Sequence, residues 1–232
     1  VEDAVLNGQT HAWSGDDQSA IDALEDLLRD AVQRRMVADV PLGAFLSGGI
    51  DSSTVVALMQ SVSDRPVKTF SVGFEDEAFN EAAFAGEVAK HLKTDHTELY
   101  VTPKDALDLV PKLSETYDEP FFDSSAIPTY LISALTRKHV TVALSGDGGD
   151  ETFGGYNRYL WAKQLSRAAG SIPFGCGLVS RGLTMLSPDH WDKLVGLMPG
   201  KKSTSAIGDK IHKAAPLLAI RDDIDRYHAL IS

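Results

Sequence analysis

The apolar run from Val40 to Leu46 constrains the fold most, because it ends in Ser-Gly-Gly and passes directly into a helical pattern. A short apolar run closed by glycines is typical of a buried strand, and apolar residues at helical spacing follow in Thr54–Val62. Strands that alternate with helices predict an α/β fold, a doubly wound parallel sheet covered on both faces. The further strands are expected at Lys68–Phe74, His96–Val101 and Val140–Leu144.

The pattern also predicts an organisation along the chain. Residues 1–17 have the glycines and polar residues of a linker, and we expect a missing N-terminal domain before them. Residues 18–160 form the predicted α/β core. Residues 161–232 form a predicted helical C-terminal extension, expected to be incomplete, with a final helix over Ala214–Leu230. The helices of the core are predicted around Asp16–Ala38, Asn80–Leu92, Lys104–Thr116 and Ser124–Lys138.

Composition narrows the classes of partner. The chain has 232 residues, of which 43% are hydrophobic, and this is ordinary for a globular protein. Its formal net charge of −11 argues against nucleic acid or an anionic membrane as the main partner. Cys176 is the single cysteine, so no internal disulfide can form. Because the sequence also has neither a signal peptide nor a long apolar run, we predict a cytoplasmic protein with no membrane span.

The loop Ser47–Ser53 joins a strand to a helix and has the composition of a phosphate-binding turn. Gly48 and Gly49 let the backbone approach an anion and adopt dihedrals that a side chain would block. The helix that follows offers unpaired N–H groups and the positive end of its dipole. Asp51 can hold a magnesium ion that bridges phosphates. Further hydroxyl donors come from Ser47, Ser52 and Ser53.

Other interpretations of this loop are weaker. In a plain strand-to-helix turn, the glycines would only turn the chain and Ser-Ser would only cap the helix. The full seven-residue pattern after a strand favours phosphate binding over that interpretation. The loop is not a GxxxxGKS/T loop, because it lacks the lysine, and its spacing differs from a dinucleotide-binding GxGxxG.

The segment Ser145–Tyr156 places Asp147, Asp150 and Glu151 directly after the last predicted strand, which we expect to be buried. Ligands of α/β sheets bind beyond the carboxyl ends of the strands, so these acids lie where a ligand is expected. Asp51 and Asp150 could share magnesium, so that neither would face polyphosphate as an unpaired carboxylate. A solvated acidic turn is the alternative, but the surrounding glycines and aromatic residues favour a site.

Two motifs resemble known signatures. FLSGGIDSS resembles the signature of the ATP pyrophosphatases, which cleave ATP between its α and β phosphates. ALSGDGGDETFGGYNRY resembles the second signature of the asparagine synthetase family's synthetase domain, and KTFSVGF and DEPFFDSSAIPTY extend this likeness from about Asp39 to Tyr159. The resemblance implies a fold of the adenine-nucleotide α-hydrolase-like (ATP pyrophosphatase) type, with ATP and Mg2+ as ligands.

The same resemblance assigns roles to individual residues. It implies that the backbone of Leu46 and Val72 holds the adenine, and that Ser145 and Gly146 contact the nucleotide. Asp147 stands at the family's acidic position near the reacting intermediate, where asparagine synthetases usually carry glutamate. The identity of the acceptor therefore stays open. The expected catalytic acids are Asp147, Asp51 and Asp150.

The resemblance further implies a reaction and its partners. A carboxylate, expected to be aspartate, is adenylylated with release of pyrophosphate and then amidated by ammonia. The ammonia comes from glutamine in an N-terminal glutaminase domain that these residues do not contain. One alternative is a paralogue with another acceptor, such as a β-lactam synthetase-like enzyme or a sugar-acid amidotransferase. Another is a non-catalytic nucleotide-binding module, and a homodimer is also left open.

A few other polar residues carry weaker signals. His91 and His96 have no metal-ligand partner at a useful spacing and are interpreted as surface residues. Tyr156 and Arg158 follow the second loop closely enough to contact a substrate or pyrophosphate, although simple packing explains them equally well.

Overall fold

The computed structural model of the chain describes residues 2–74, 80–119, 123, 125–170, 176–196, 207–220 and 222–231. Four residues of the DEPFFDSSAIPTY motif, 120–122 and 124, lie outside the described residues. The chain divides into two compact units, residues 1–148 and residues 149–232. The predicted domain boundaries at residues 17 and 160 stay predictions.

The first unit is built on a parallel sheet, whose strand order among the described residues is β3-β2-β1-β4. Its strands are β1 (Leu42–Phe45), β2 (Lys68–Phe74), β3 (Asp95–Val101) and β4 (Val142–Leu144). In the register, Phe45 lies beside Phe70 and Gly43 lies beside Ala143. The predicted α/β class with a parallel sheet is therefore confirmed.

Helices cover this sheet on both sides. The helices of this unit are α1 (Glu2–Thr10), α2 (Asp17–Arg35), α3 (Ile50–Ser61), α4 (Ala82–Leu92), α5 (Pro103–Thr116) and α6 (Ala126–Thr136). Buried residues of α2, α3 and α4 share one apolar cluster with Ala44 and Leu46. The helix α6 packs on β2 and α5 packs on α6. Side chains alternate along β2, so that Phe70 and Val72 face the α5–α6 side and Ser71 faces the α4 side.

Two parts of the first unit differ from the sequence-based expectation. The helix α1 lies within the predicted linker, and its described side chains are all exposed, which explains why its sequence shows no apolar period. The strand β4 is not the buried strand that its apolar sequence predicted. Val142 is 42% exposed, because β4 forms an edge of the sheet in the described part of the chain.

The second unit is helical. Its helices are α7 (Gly149–Phe153), α8 (Asn157–Gly170), α9 (Cys176–Met185), α10 (Pro188–Gly196), α11 (Ile207–Leu218) and α12 (Asp223–Ile231). The predicted single helix over Ala214–Leu230 is wrong, since α11 ends at Leu218 and α12 begins at Asp223. Asp222 caps the second of these helices, because its carboxylate accepts hydrogen bonds from the N–H groups of Ile224 and Asp225 at 2.9 and 3.0 Å. Among the described helices of both units, none is long and apolar enough to cross a membrane.

Candidate functional site

The first glycine of the loop after β1 adopts a backbone conformation that favours glycine. Gly48 has a φ of +80°, in the left-handed region. It also lies against the start of α4, where a Cβ at position 48 would be 2.7 Å from the nitrogen of Ala85 and from the Cβ of Phe84. Both the dihedral and the available space therefore require glycine here.

The second glycine is under less constraint. Gly49 has φ −70° and ψ 163°, which any residue adopts, and it is the N-cap residue of α3. A Cβ at this position would meet only the Oγ of Ser47, at 3.2 Å. The expectation that both glycines need dihedrals closed to other residues is therefore wrong for Gly49.

Two serines close this loop with hydrogen bonds. The N–H of Ser47 donates to the Oγ of Ser52 at 3.2 Å, and the two hydroxyls lie 3.0 Å apart. The helix α3 has no side-chain cap bond, so the interpretation of Ser-Ser as a helix cap is wrong. Ser53 lies apart from this pair, because it lines a groove between α3 and α4. Its buried Oγ has no hydrogen-bond partner among the described residues.

The first turn of α3 presents free backbone donors. The N–H groups of residues 50–52 cannot bond within the helix, and they donate no hydrogen bond to any described residue. Asp51 belongs to this turn and is half-buried. Free N–H groups at the positive end of a helix dipole form a favourable position for an anion such as a phosphate.

The loop after β4 packs directly onto this helix start. A Cβ at Gly146 would lie 2.6 Å from the nitrogen of Ser52 and 2.9 Å from the carbonyl carbon of Asp51. The strands β1 and β4 are parallel neighbours, so their carboxyl ends lie at one edge of the sheet. The structure thus brings Ser145 and Gly146 together with the loop Ser47–Ser53.

Asp147 lies at the tip of this second loop. Its side chain is exposed, and its N–H faces the Oγ of Ser145 at 3.4 Å. Gly148 follows with a φ of +90°, in the left-handed region that favours glycine. The carboxylate of Asp147 is therefore accessible to a small molecule at this edge.

The remaining acids of the second loop belong to the second unit. The carboxylate of Asp150 covers Gly155, where any Cβ would collide with it. The hydroxyl of Tyr156 donates a 2.6 Å hydrogen bond to Glu151, which lowers the pKa of Glu151 and raises the pKa of Tyr156. The guanidinium of Arg158 lies 3.7 Å from the centre of the Tyr156 ring. Tyr156 and Arg158 thus contact neighbours within their own unit, and a contact of either with a substrate stays a prediction.

A cavity of about 740 Å³ opens at the carboxyl end of the sheet, on the side of α5 and α6. Its walls are mainly apolar and include Leu46, Phe70 and Val72, together with residues of α5 and α6. Its volume lies in the range of small-molecule pockets. Leu46 and Val72, the two positions predicted to hold adenine, therefore line the same cavity.

The strand β2 extends beyond β1 at this cavity. The N–H of Leu46 donates to the carbonyl of Phe70 at 2.9 Å, and β1 ends at this point. In a parallel sheet, both backbone groups of a residue point to one neighbouring strand, and residues two apart point to the same side. The N–H and C=O of Val72 therefore face the space beyond the end of β1, where they can pair with the polar edge of a flat base.

His96 is not the surface residue that the sequence suggested. Its side chain is only 11% exposed. Its Nδ1 lies 2.8 Å from Thr69 Oγ1, and its Nε2 lies 3.2 Å from Ser71 Oγ. Burial lowers the pKa of His96, while the charge of Glu98 acts in the opposite direction. The two hydroxyl residues at alternate positions of β2 are the signal that could have located it, because buried hydroxyls need partners.

Magnesium is implied by the motifs, and the residues present are compatible with it. Among the described residues, no group of three or more His, Cys, Asp or Glu side chains is close enough to hold a metal ion. Magnesium in nucleotide sites needs only one or two carboxylates, with phosphate oxygens and water completing its shell. Asp51, whose backbone packs against Gly146, can supply one such carboxylate. Asp150 lies in the other unit, so its share in the same ion stays a prediction.

A parallel sheet with glycine-bearing loops and a cavity at the carboxyl ends of its strands defines an α/β ligand-binding domain. The family model described as asparagine synthase matches residues 23–230. The chain therefore belongs to the asparagine synthase family.

Three relatives show how far this similarity extends. A putative glutamine-hydrolysing asparagine synthetase of Methanocaldococcus jannaschii is 49% identical over 146 residues, which cover 62% of this chain and 28% of that protein. Asparagine synthetase 1 of Bacillus subtilis is 42% identical over 144 residues, 62% of this chain and 23% of its own. Asparagine synthetase B of Escherichia coli is 35% identical over 150 residues, 57% of this chain and 26% of its own. The chain thus spans about a quarter of the length of these curated relatives.

Proposed function

We propose that this chain binds ATP and adenylylates a carboxylate, as the synthetase part of a glutamine-dependent amidotransferase. The observation that carries the proposal is the packing of Gly146 on the first turn of α3, which gathers both signature loops at one edge of the sheet. The cavity beside Val72 opens at the same edge. The adenine base and the phosphates of ATP, together with the acceptor carboxylate, can therefore be bound along one edge of the sheet.

In this proposal, the adenine occupies the apolar cavity and its polar edge pairs with the backbone of Val72, next to Leu46. The phosphates lie over the first turn of α3, where the free N–H groups and the helix dipole attract anions. Ser145 and Gly146 contact the nucleotide from the second loop. Of the three predicted hydroxyl donors to the phosphates, Ser47 and Ser52 lie together in the loop, whereas Ser53 has its Oγ buried in the groove between α3 and α4 and is the weakest candidate.

The first chemical step is the transfer of AMP to the acceptor. A carboxylate oxygen attacks the α-phosphorus, the bond from that phosphorus to the bridging oxygen breaks, and pyrophosphate leaves with this oxygen. The donors of α3 stabilise the negative charge that develops on the leaving group. Magnesium held by Asp51 and Asp150 would supply further charge neutralisation. Positioning of the reactants then contributes much of the rate, because no side chain has to form a covalent bond.

The second step forms the amide. Ammonia attacks the carbonyl carbon of the acyl-adenylate, the carbon–oxygen bond to AMP breaks, and a proton is lost from nitrogen as AMP departs. Ammonia comes from glutamine in an N-terminal glutaminase domain. Asp147, which is exposed in the second loop, would lie near the reacting intermediate in this scheme.

Aspartate is the leading acceptor, since the relatives are named asparagine synthetases. The presence of Asp147, where asparagine synthetases usually carry the longer glutamate, favours a paralogue with another acceptor as the second candidate. We further propose that the protein acts in the cytoplasm, and a homodimer is compatible with this scheme.

The test is an acceptor screen on the full-length protein. ATP, magnesium and ammonium chloride are combined with aspartate, glutamate, a β-amino acid or a uronic acid, and pyrophosphate and amide products are measured. Hydroxylamine in place of ammonium traps the acyl-adenylate as a hydroxamate and so reports the first step alone. We expect pyrophosphate and asparagine with aspartate. Pyrophosphate with another acid would reassign the acceptor, whereas nucleotide binding without pyrophosphate from any acid would establish a non-catalytic module.

A further inference from the structure

The ring of His96 joins two side chains of β2 on the face that packs against α4. Its Nδ1 lies 2.8 Å from Thr69 Oγ1 and its Nε2 lies 3.2 Å from Ser71 Oγ. Thr69 is fully buried and Ser71 is 3% exposed, so neither hydroxyl can replace the imidazole with bulk water. Thr69 Oγ1 also lies 2.9 Å from the hydroxyl of Thr94, which ties the group to the start of β3.

These hydroxyl residues alternate with residues of the proposed nucleotide cavity. The side chains of Thr69 and Ser71 share the face on which Gly73 meets Ala82 of α4, whereas those of Phe70 and Val72, next to them in the chain, belong to the opposite face. Phe70 and Val72 line the cavity, and Ser71 borders it as well. The β2 backbone beyond Phe70 has lost its neighbour on one side, because β1 ends at Phe45. Hydrogen bonds from His96 to the side chains of this segment therefore restrain a backbone that β1 no longer supports.

Small residues of α4 leave room for the row of polar side chains formed by Thr69, Ser71 and His96. A Cβ at Gly86 would be 2.9 Å from Glu98 Oε1, and a Cβ at Gly73 would be 2.9 Å from the Cβ of Ala82. The first turns of the same helix contact Gly48 of the phosphate loop. The row of polar side chains thus lies between the sheet and the helix on which the phosphate loop rests.

From this arrangement we infer that His96 is a positioning residue for adenine binding: it holds the free edge of β2, through Ser71 and Thr69, in the geometry in which Val72 meets the base. The inference rests on the proposed nucleotide site. His96 itself is not among the residues that line the cavity, so in this inference it acts through Ser71 and Thr69 and not by contact with the nucleotide.

The test compares two ligands on the full-length protein, ATP and inorganic pyrophosphate, each measured by calorimetric titration in the presence of magnesium. His96→Phe keeps a ring of similar size and removes both hydrogen bonds. We expect this variant to weaken ATP binding about tenfold, because a displaced Val72 backbone would lose about one net hydrogen bond to the base. The affinity for pyrophosphate, which has no base, should be unchanged. His96→Gln reaches as far as Nε2 and can still bond Ser71, so it should restore most of the ATP affinity.

The matched control is His91→Phe, which makes the same exchange at an exposed position of α4. It should leave both affinities at the wild-type value. Equal ATP affinity in His96→Phe and wild type overturns the inference, as does an equal loss for ATP and pyrophosphate, which would indicate general distortion. If His96→Phe does not fold, Thr69→Val removes the Nδ1 contact at a buried position that does not line the cavity, and it should show the same selective loss. Wild-type protein that binds no ATP would instead overturn the proposed function and this inference with it.

Discussion

The α-carbon of Gly146 lies so close to the backbone of Ser52 that a Cβ at position 146 would be 2.6 Å from the Ser52 nitrogen. The two loops therefore meet through main-chain atoms, and no flexible side chain sets the distance between them. This contact fixes Asp147 relative to the first turn of α3. It is the contact that directly links the loop Ser47–Ser53 to the acidic loop after β4.

We expect Gly146→Ala to lower pyrophosphate formation by about 100-fold, because the added methyl group forces the two loops apart and misplaces the reactants. The rate of pyrophosphate release under saturating ATP and acceptor is the measurement. Gly8→Ala is the control, since a Cβ at Gly8 meets nothing within 4 Å. A wild-type rate in Gly146→Ala would show that the loops do not pack as described.

The two glycines of the first loop should respond differently to alanine. Gly48→Ala combines a φ of +80° with a 2.7 Å contact to Ala85, and we expect it to lower the free energy of unfolding by about 1–3 kcal/mol. Gly49→Ala should cost less than about 1 kcal/mol, because its dihedrals suit any residue and only an N-cap preference is lost. Urea unfolding of both variants makes the comparison, and equal losses would contradict it.

Replacement of Asp51 by asparagine removes a charge from the first turn of α3 and leaves the shape of the side chain. If Asp51 holds magnesium, Asp51→Asn should lower pyrophosphate formation by at least about tenfold at limiting magnesium, and excess magnesium should recover part of it. Asp64→Asn, at an exposed turn beyond the end of α3, is the matched control. A magnesium dependence identical to wild type in Asp51→Asn would exclude this role.

The buried His96 predicts how stability depends on pH. Burial lowers its pKa below the ordinary value near 6.5, with Glu98 acting in the opposite direction, so the unfolded chain takes up this proton at a higher pH than the folded chain. The stability that comes from the neutral, buried His96 is fully present above the pKa of His96 in the unfolded chain and is lost as pH falls through its pKa in the folded chain. Between pH 8 and about 5, the free energy of unfolding measured in urea should therefore fall more steeply for wild type than for His96→Gln. Parallel curves would show that His96 titrates normally.

The carboxylate of Asp150 rests on Gly155, and this contact offers a test within the second unit. Gly155→Ala should displace that carboxylate, since the new Cβ would collide with it. We expect a higher magnesium requirement for pyrophosphate formation, with the overall helical content unchanged by circular dichroism. Gly177→Ala, where a Cβ meets nothing within 4 Å, should keep the wild-type requirement. If both variants behave alike, Asp150 has no part in metal binding.

Much of the first unit could be predicted from periodicity. The strand Lys68–Phe74 was predicted with the bounds that the structure has, and α4, α5 and β3 were predicted within two residues at each end. The predictions were wrong where a contact with another part of the chain, and not the local sequence, determined the burial or the end of an element. An apolar sequence predicts burial for β4, but its place at the edge of the described sheet leaves Val142 exposed. The last helix breaks at Asp222, whose side chain caps a new helix in the middle of an apolar pattern.

By itself, the sequence determined the alternation of strands and helices and the two glycine loops, because helical and strand periods and glycine's freedom are local properties of the chain. Tertiary structure alone decided which strands are neighbours, and so placed Gly146 on Ser52 and buried His96 against β2. Contacts of this kind depend on the order of strands in the sheet. No local pattern encodes that order, since it follows from how the apolar faces of all the elements pack together.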